Sequence, residues 1–154
     1  MNILLHIFIT IVTFFVMEFM AWFSHKYIMH GFLWVLHKDH HRPKKGWFER
    51  NDTFFIFYAA VSTGLVIAWG EGVFEYGISM GLGIIFYGMA YFAVHDMFIH
   101  QRLNWLKKTD NAYFRAIRKA HKVHHKHLGK EEGECFGMLV VPTKYYKEAV
   151  GTKR

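Results

Sequence analysis

A chain of 154 residues suits a single domain, residues 1–154, but 53% hydrophobic and 19% aromatic content is rich for a soluble one of that size. Mean hydropathy is only +0.08, so the apolar residues must be gathered into stretches and offset by strongly polar ones. The lone cysteine, Cys135, excludes an intrachain disulfide, a cysteine-built iron–sulfur cluster and a Cys-rich zinc site; the net charge of +7 leaves nucleic acid open only until the cations are located.

In chain order, residues 3–24 are apolar apart from one acid, Glu18. About 20 such residues cross a bilayer. A cleaved leader needs a positive start, and no cation precedes Lys26, so an uncleaved span is expected. Thr53 to Gly70 is a second apolar run and Tyr76 to Val94 a third, with Gly70-Glu71-Gly72 as the turn of a helical hairpin. Gly77-x-x-x-Gly81 in the third run is a spacing that lets membrane helices approach closely.

Of the 19 Lys and Arg, six lie between residues 26 and 50 and thirteen at or after Arg102. Three spans put all of them on one side, which the positive-inside rule makes cytoplasmic. This explains the basic balance without nucleic acid. Past Arg102, Asp110 is the expected N-cap of an amphipathic helix to about Lys126, with Phe114, Ile117, His121, His124 and His125 on one face. Residues 135–142 are too short to span and are expected in the interface or under the site. Cys135 reads as a small apolar residue beside Phe136, and residues 148–154 as a frayed tail.

Ten of the twelve histidines fall in four boxes: His25 and His30; His37, His40 and His41; His95 and His100; His121, His124 and His125. As spacings these read HxxxxH, HxxHH, HxxxxH, HxxHH. Imidazole is the commonest protein metal ligand, and ten are too many for one four-coordinate ion, so the count points to two metals. On an α-helix HxxHH puts three imidazoles on one face; Pro43, just after the first such box, fits a helix ending there. HxxxxH sets its pair about 140° apart on a regular helix, which leaves open a frayed end or two separate ions. Nitrogen ligands suit zinc, copper, iron or nickel. A site with open positions beside membrane helices fits oxygen activation by iron better than a closed structural zinc shell, with zinc a substitute after overexpression. Asp39 and Asp96 either back a ligand histidine through its distal nitrogen or are solvated. Glu18, two helical turns before His25, reads as a group behind the ligands or a proton relay. Tyr91 either reaches the same layer or is simply packed.

These four boxes, in this order on so short a chain, resemble the non-heme di-iron β-carotene 3-hydroxylases, within the wider group of fatty acid hydroxylases and sterol desaturases. The resemblance runs from about Glu18 to Tyr146, strongest over residues 25–47 and 95–125. It implies an all-α integral membrane bundle with a cytoplasmic histidine-rich helical cap. Such families are often drawn with four spans, against the three legible here. It also implies two iron ions held by the ten box histidines, and hydroxylation of the β-ionone rings of β-carotene at carbon 3, through β-cryptoxanthin to zeaxanthin. Oxygen is the oxidant, with electrons from a ferredoxin-type donor. Independently of the resemblance, the chain has no dinucleotide fingerprint or P-loop, so an external donor must dock, and the cationic face would attract an acidic one. The substrate would enter from the surrounding lipid. The competing readings are a hydroxylase or desaturase of an acyl chain or sterol, and a membrane metal-binding protein without redox chemistry.

Overall fold

The protein is described from a computed structural model, covering residues 2–42, 48–102, 108–129, 131 and 133–151. Among these residues every regular element is helical. Helix α1 (Ile3–Phe23) opens at Asn2, whose Oδ1 accepts the Leu5 N–H, and runs without a break into a π-helix, π1 (Ser24–Phe32). Gly31 (φ −106°, ψ −126°) kinks the chain there, and the short α2 (Trp34–His41) follows. Helices α3 (Asp52–Gly70) and α4 (Gly77–Tyr91) form the expected hairpin, with Gly72 at φ +71° in its turn. A second π-helix, π2 (Phe92–Ile99), continues α4. Helices α5 (Ala112–His124) and α6 (Thr143–Gly151) complete the chain.

Three stretches are long and apolar enough to cross a membrane: Ile3–Phe32, Asp52–Gly70 and Gly77–Ile99. From Ile3 to Ser24 the helix rises roughly 33 Å, about one hydrocarbon thickness, so the histidine box beginning at His25 lies at the far end of the first span. The spans are apolar outward. Phe8 and Phe15 on α1, Ile56 on α3 and Met89 on α4 are each more than half exposed. A soluble fold would bury such faces; lipid covers them here.

Helix α4 is the centre of the bundle, packed on α1 and α3. Its glycines explain how. A Cβ on Gly77 would lie 2.2 Å from the Leu65 carbonyl oxygen, one on Gly81 2.7 Å from Val66 Cγ2, and one on Gly83 2.6 Å from Thr13 Cβ. Gly77 and Gly81 thus let α3 approach and Gly83 lets α1 approach, by the small-residue logic of membrane helix pairs. Short polar side chains tie the contacts: Ser62 Oγ donates to the Gly81 carbonyl at 2.9 Å and Thr10 Oγ1 to that of Ser79 at 3.1 Å. Gly77→Leu is therefore expected to split the hairpin, seen as a large loss of folded protein in detergent and a lower thermal midpoint. A wild-type melt from that variant would contradict the close approach.

Two local expectations need correction. The cap of α5 is Asn111, not Asp110: its Oδ1 accepts the N–H groups of Tyr113 and Phe114. Both residues are good cap formers, and the one whose carbonyl oxygen faces the first turn wins. The segment 148–151 is not frayed. It belongs to α6, whose Tyr145 and Ala149 are buried against Ala116 and Ala120 of α5, and Lys119 pairs with Glu148. Residues 152–154 lie outside the described residues, as does Pro43; α2 does end just before it, at His41.

Candidate metal centre

The π-helices resolve the difficulty with HxxxxH. A π-helix bonds residue i to i+5, so histidines five apart return to nearly one face. The ring centroids of His25 and His30 lie 5.1 Å apart, and those of His95 and His100 4.6 Å. The first HxxxxH box sits on π1 and the second closes π2, where the His100 N–H bonds the His95 carbonyl at 2.9 Å; the HxxHH boxes lie at the C-terminal ends of α2 and α5, His125 capping the latter.

The boxes interleave into two nests. His25, His30, His37, His41 and His124 form one; His40, His95, His100 and His121 form the other. Within each nest one ring nitrogen per residue lies within 4.8 Å of all the rest. Donors bound about 2.0–2.2 Å from one ion can be at most about 4.4 Å apart, so each nest is close to the size of one coordination sphere. His125 stands between them, its Nε2 2.8 Å from His121 Nε2 and its ring stacked 4.3 Å from that of His41. Neighbouring His40 and His41 point into different nests, and the halves of the chain are mixed: His124 joins the N-terminal boxes and His40 the C-terminal ones.

Tautomers make the case for a cation. His25 Nδ1 donates to the Phe136 carbonyl at 2.9 Å, His30 Nδ1 to that of Leu128 at 3.0 Å, and His124 Nδ1 to that of Glu134 at 3.0 Å. A carbonyl can only accept, so the proton sits on Nδ1 and Nε2 carries the lone pair. Yet His30 Nε2 lies 3.2 Å from His124 Nε2. His25 Nε2 is 3.0 Å from His37 Nε2, whose own Nδ1 donates to Asn51 Oδ1 at 2.7 Å. Lone pair faces lone pair in both. In the second nest the Nε2 atoms of His40 and His95 are buried with no hydrogen-bond partner. Converging lone pairs without protons between them repel; a bound metal ion turns the same geometry into ligation. The donor set fits a metal.

Burial holds the ligands ready. Outside the spans, loss of solvation pushes His37 and His41 down to about 3 and His125 down to about 4. The same cause, reinforced by neighbouring imidazoles, lowers His40, His100, His121 and His124. These groups are neutral at pH 7 and need shed no proton to bind metal. The linkage has a definite sign. As pH falls below the unfolded value near 6.5, the unfolded chain takes up protons that the folded chain refuses, so stability present above pH ~6.5 is lost toward pH ~3. Metal-stripped protein in detergent should therefore show a thermal midpoint that drops steadily from pH 6.5 to 4. A flat profile would contradict the burial of these rings.

The other expected site residues divide. Asp96 Oδ2 lies 3.3 Å from His95 Nδ1, and the Tyr91 ring packs 4.6 Å from that of His95. Asp39 instead accepts the Arg50 N–H at 2.9 Å. Glu18 touches no histidine: its Oε1 accepts the N–H groups of Met138, Leu139 and Val140 at 2.8–3.1 Å, and its Oε2 the Tyr87 hydroxyl at 2.7 Å. The segment it binds, 136–140, supplies the Phe136 carbonyl to His25, so Glu18 acts on the nest through a backbone strap. Cys135, at φ +62°, turns the chain into that strap, and burial pushes its thiol up to about 11.

Several site residues carry no signal in the sequence. Glu49 Oε2 receives His40 Nδ1 at 2.9 Å; Asn51 holds His37; Arg102 bridges Glu49, Asp52 and Asp96 at 3.0–3.1 Å. Burial pushes the Glu49 carboxyl up, and Arg102 opposes the rise. Tyr145 on α6 donates to Glu134 Oε1 at 2.6 Å, fixing the residue whose carbonyl holds His124. The two histidines outside the boxes lie apart from the nests. His6 bonds Ser79 across α1 and α4 at 2.6 Å, and His127 is half-buried beyond the end of α5. His6→Ala should keep full metal content and turnover while costing roughly 0.5–1.5 kcal/mol of stability; loss of metal from that variant would contradict the assignment. His127→Ala should be tolerated outright.

A narrow cleft of about 10 Å³ reaches the nests between Tyr91, Ile117, Met138 and Val141, touching His25, His95 and His121. It holds roughly one water-sized molecule. No bulky ring fits there.

A family model described as fatty acid hydroxylase matches residues 10–143. The chain is 40% identical over 136 residues to a β-carotene hydroxylase of Pantoea ananas, covering 88% of this chain and 75% of that one. It is 38% identical over 133 residues to one of Pseudescherichia vulneris, covering 85% and 74%. Against the chloroplastic β-carotene 3-hydroxylase 1 of Arabidopsis thaliana it is 36% identical over 132 residues, 82% of this chain and 41% of that longer one. No solved structure matches it. The chain is a membrane protein that belongs to the fatty acid hydroxylase family, as a homologue of the β-carotene hydroxylases.

Proposed function

We propose that this protein hydroxylates β-carotene at carbon 3 of each β-ionone ring, using O2 at a pair of iron ions held by the ten box histidines. The observation that carries the reading is the pair of imidazole nests with converging lone pairs at the surface end of the spans, in a homologue of β-carotene hydroxylases. When bound, the irons supply the reduction of O2 and the breaking of the C–H bond. In balance, the substrate C–H and O2 take up two electrons and two protons and give the alcohol and water. The residues of the chain hold, orient and shield. Carbonyls of Leu128, Glu134 and Phe136 fix the tautomers of His30, His124 and His25, keeping each Nε2 lone pair inward. The apolar strap, with Phe136 and Met138 buried, excludes bulk water from the nests.

The substrate is taken from the bilayer, which dissolves it. The one-sided distribution of cations supports a cytoplasmic site and C-terminus and a small acidic donor such as a ferredoxin. The test is expression in cells that accumulate β-carotene, with pigments separated by chromatography. β-Cryptoxanthin and zeaxanthin are expected. Unchanged β-carotene beside an iron-loaded protein would overturn the substrate, and a hydroxylated or desaturated acyl chain or sterol would replace it.

A further inference from the structure

Resting on that reading of the histidines as metal ligands, we propose that the two metal positions are chemically unequal and that Arg102 maintains the difference. The distal nitrogens of the nests are backed differently. In the nest of His25, His30, His37, His41 and His124 no carboxylate backs an Nδ1 among the described residues; the acceptors there are three backbone carbonyls and the Asn51 amide. In the other nest His40 Nδ1 faces the Glu49 carboxylate and His95 Nδ1 that of Asp96. A carboxylate behind a ligand imidazole raises its basicity and strengthens its hold on a metal; a neutral carbonyl does so less.

Two carboxylates close to one site, Asp96 buried and Glu49 partly so, repel each other. Arg102 offsets that repulsion by pairing with both. Its NH2 group lies 3.1 Å from Glu49 Oε2 and 3.0 Å from Asp52 Oδ1, and its Nε lies 3.1 Å from Asp96 Oδ1. One planar guanidinium therefore pins the carboxylates that back two ligands from different elements, α2 and π2. The preceding Gln101 takes φ +55°, a left-handed turn rare outside glycine, which directs the chain away from π2 at that point. The Glu49 backbone N–H donates to Asp52 Oδ2 at 3.0 Å, closing the network. Arg102 is a positioning residue, acting on the metal through Glu49 and Asp96. The nest of His40, His95, His100 and His121 is the tighter-binding position.

The test is a titration of full-length, chelator-stripped protein in detergent with Co(II), followed by d–d absorption and chelator competition. Wild type is expected to fill in two steps of unequal affinity, one ion each. Glu49→Gln and Asp96→Asn keep side-chain shape and should each weaken the tighter step about 10–100-fold, leaving the weaker step unmoved as proof of folding. Arg102→Met should do the same, with Arg102→Lys in between. Asn51→Asp adds a carboxylate behind His37 and should tighten the weaker step. Two equal steps in wild type, or variants that move both steps together or neither, overturn the inequality while leaving the di-metal reading intact. Binding of one ion or none in wild type overturns that reading, and this inference with it.

Discussion

Alanine at His124 or at His40 is expected to lower hydroxylation by roughly 100-fold or more, each substitution removing a metal from a different nest. His124 is fully buried, anchored by the Glu134 carbonyl, with its Nε2 3.2 Å from that of His30. His40 is anchored by Glu49, and its Nε2 is a buried lone pair with no other partner. Losing an indirect supporting group already costs 10–100-fold in metal affinity or activity, and losing the ligand itself costs at least that. The check is metal content beside turnover. His124→Ala should fall from two ions to about one with the His40 nest filled, and His40→Ala should show the converse. His41→Ala should behave like His124→Ala, since both belong to the same nest, and His125→Ala, at the boundary between the nests, should lower occupancy of each. Normal turnover in any of these variants would contradict the ligand assignment.

Glu18→Ala should be nearly as damaging although the side chain touches no histidine. Its carboxylate accepts four hydrogen bonds, three from consecutive N–H groups of the strap. Truncation leaves the Met138 N–H buried without a partner, at roughly 1–3 kcal/mol, and takes the acceptor from the part-buried N–H groups of Leu139 and Val140. The strap then has no reason to stay, and with it goes the Phe136 carbonyl that orients His25. Expected are weakened metal binding at the His25 nest, faster hydrogen exchange at residues 138–140, and little change at the His40 nest. Gln at this position keeps one acceptor oxygen for the strap and offers its NH2 to the Tyr87 hydroxyl, so Glu18→Gln should retain most of the metal. A proton relay would behave differently: Glu18→Gln would then be as inactive as Glu18→Ala while both bound metal normally. Gly137 lends an independent handle, because a Cβ there would meet Glu18 Oε1 at 2.8 Å. Gly137→Val should reproduce part of the Glu18→Ala effect.

The spans were legible because hydrophobic length is a one-dimensional property, and the glycine spacing at 77 and 81 because close approach forbids a side chain. The HxxHH boxes were legible for a similar reason: i, i+3 and i+4 share a face on any α-helix. HxxxxH was not, since an α-helical wheel separates His25 from His30; only the change to π geometry, which sequence periodicity does not announce, brings them together. Glu18 was legible as an acid that a span would not carry idly, but its partners are backbone N–H groups 120 or more residues away, and backbone leaves no mark in composition. Glu49 and Arg102 were invisible for a related reason. Each sits just outside a span among many other charges, and only the meeting of α2, α3 and π2 selects them. The end of α6 is not legible because a run of Lys, Glu, Ala and Gly looks like a solvated tail until Ala116 and Ala120 give Ala149 a surface to bury against.

The central claim is that the ten imidazoles form two adjoining nitrogen-lined sites. Iron X-ray absorption on purified, iron-reconstituted protein, with iron counted per chain on the same sample, tests it most directly. The account predicts two irons per chain in a shell dominated by imidazole nitrogen, including the outer-ring scattering of several histidines on each. A single iron per chain, or a shell of carboxylate oxygens with few imidazoles, would contradict it.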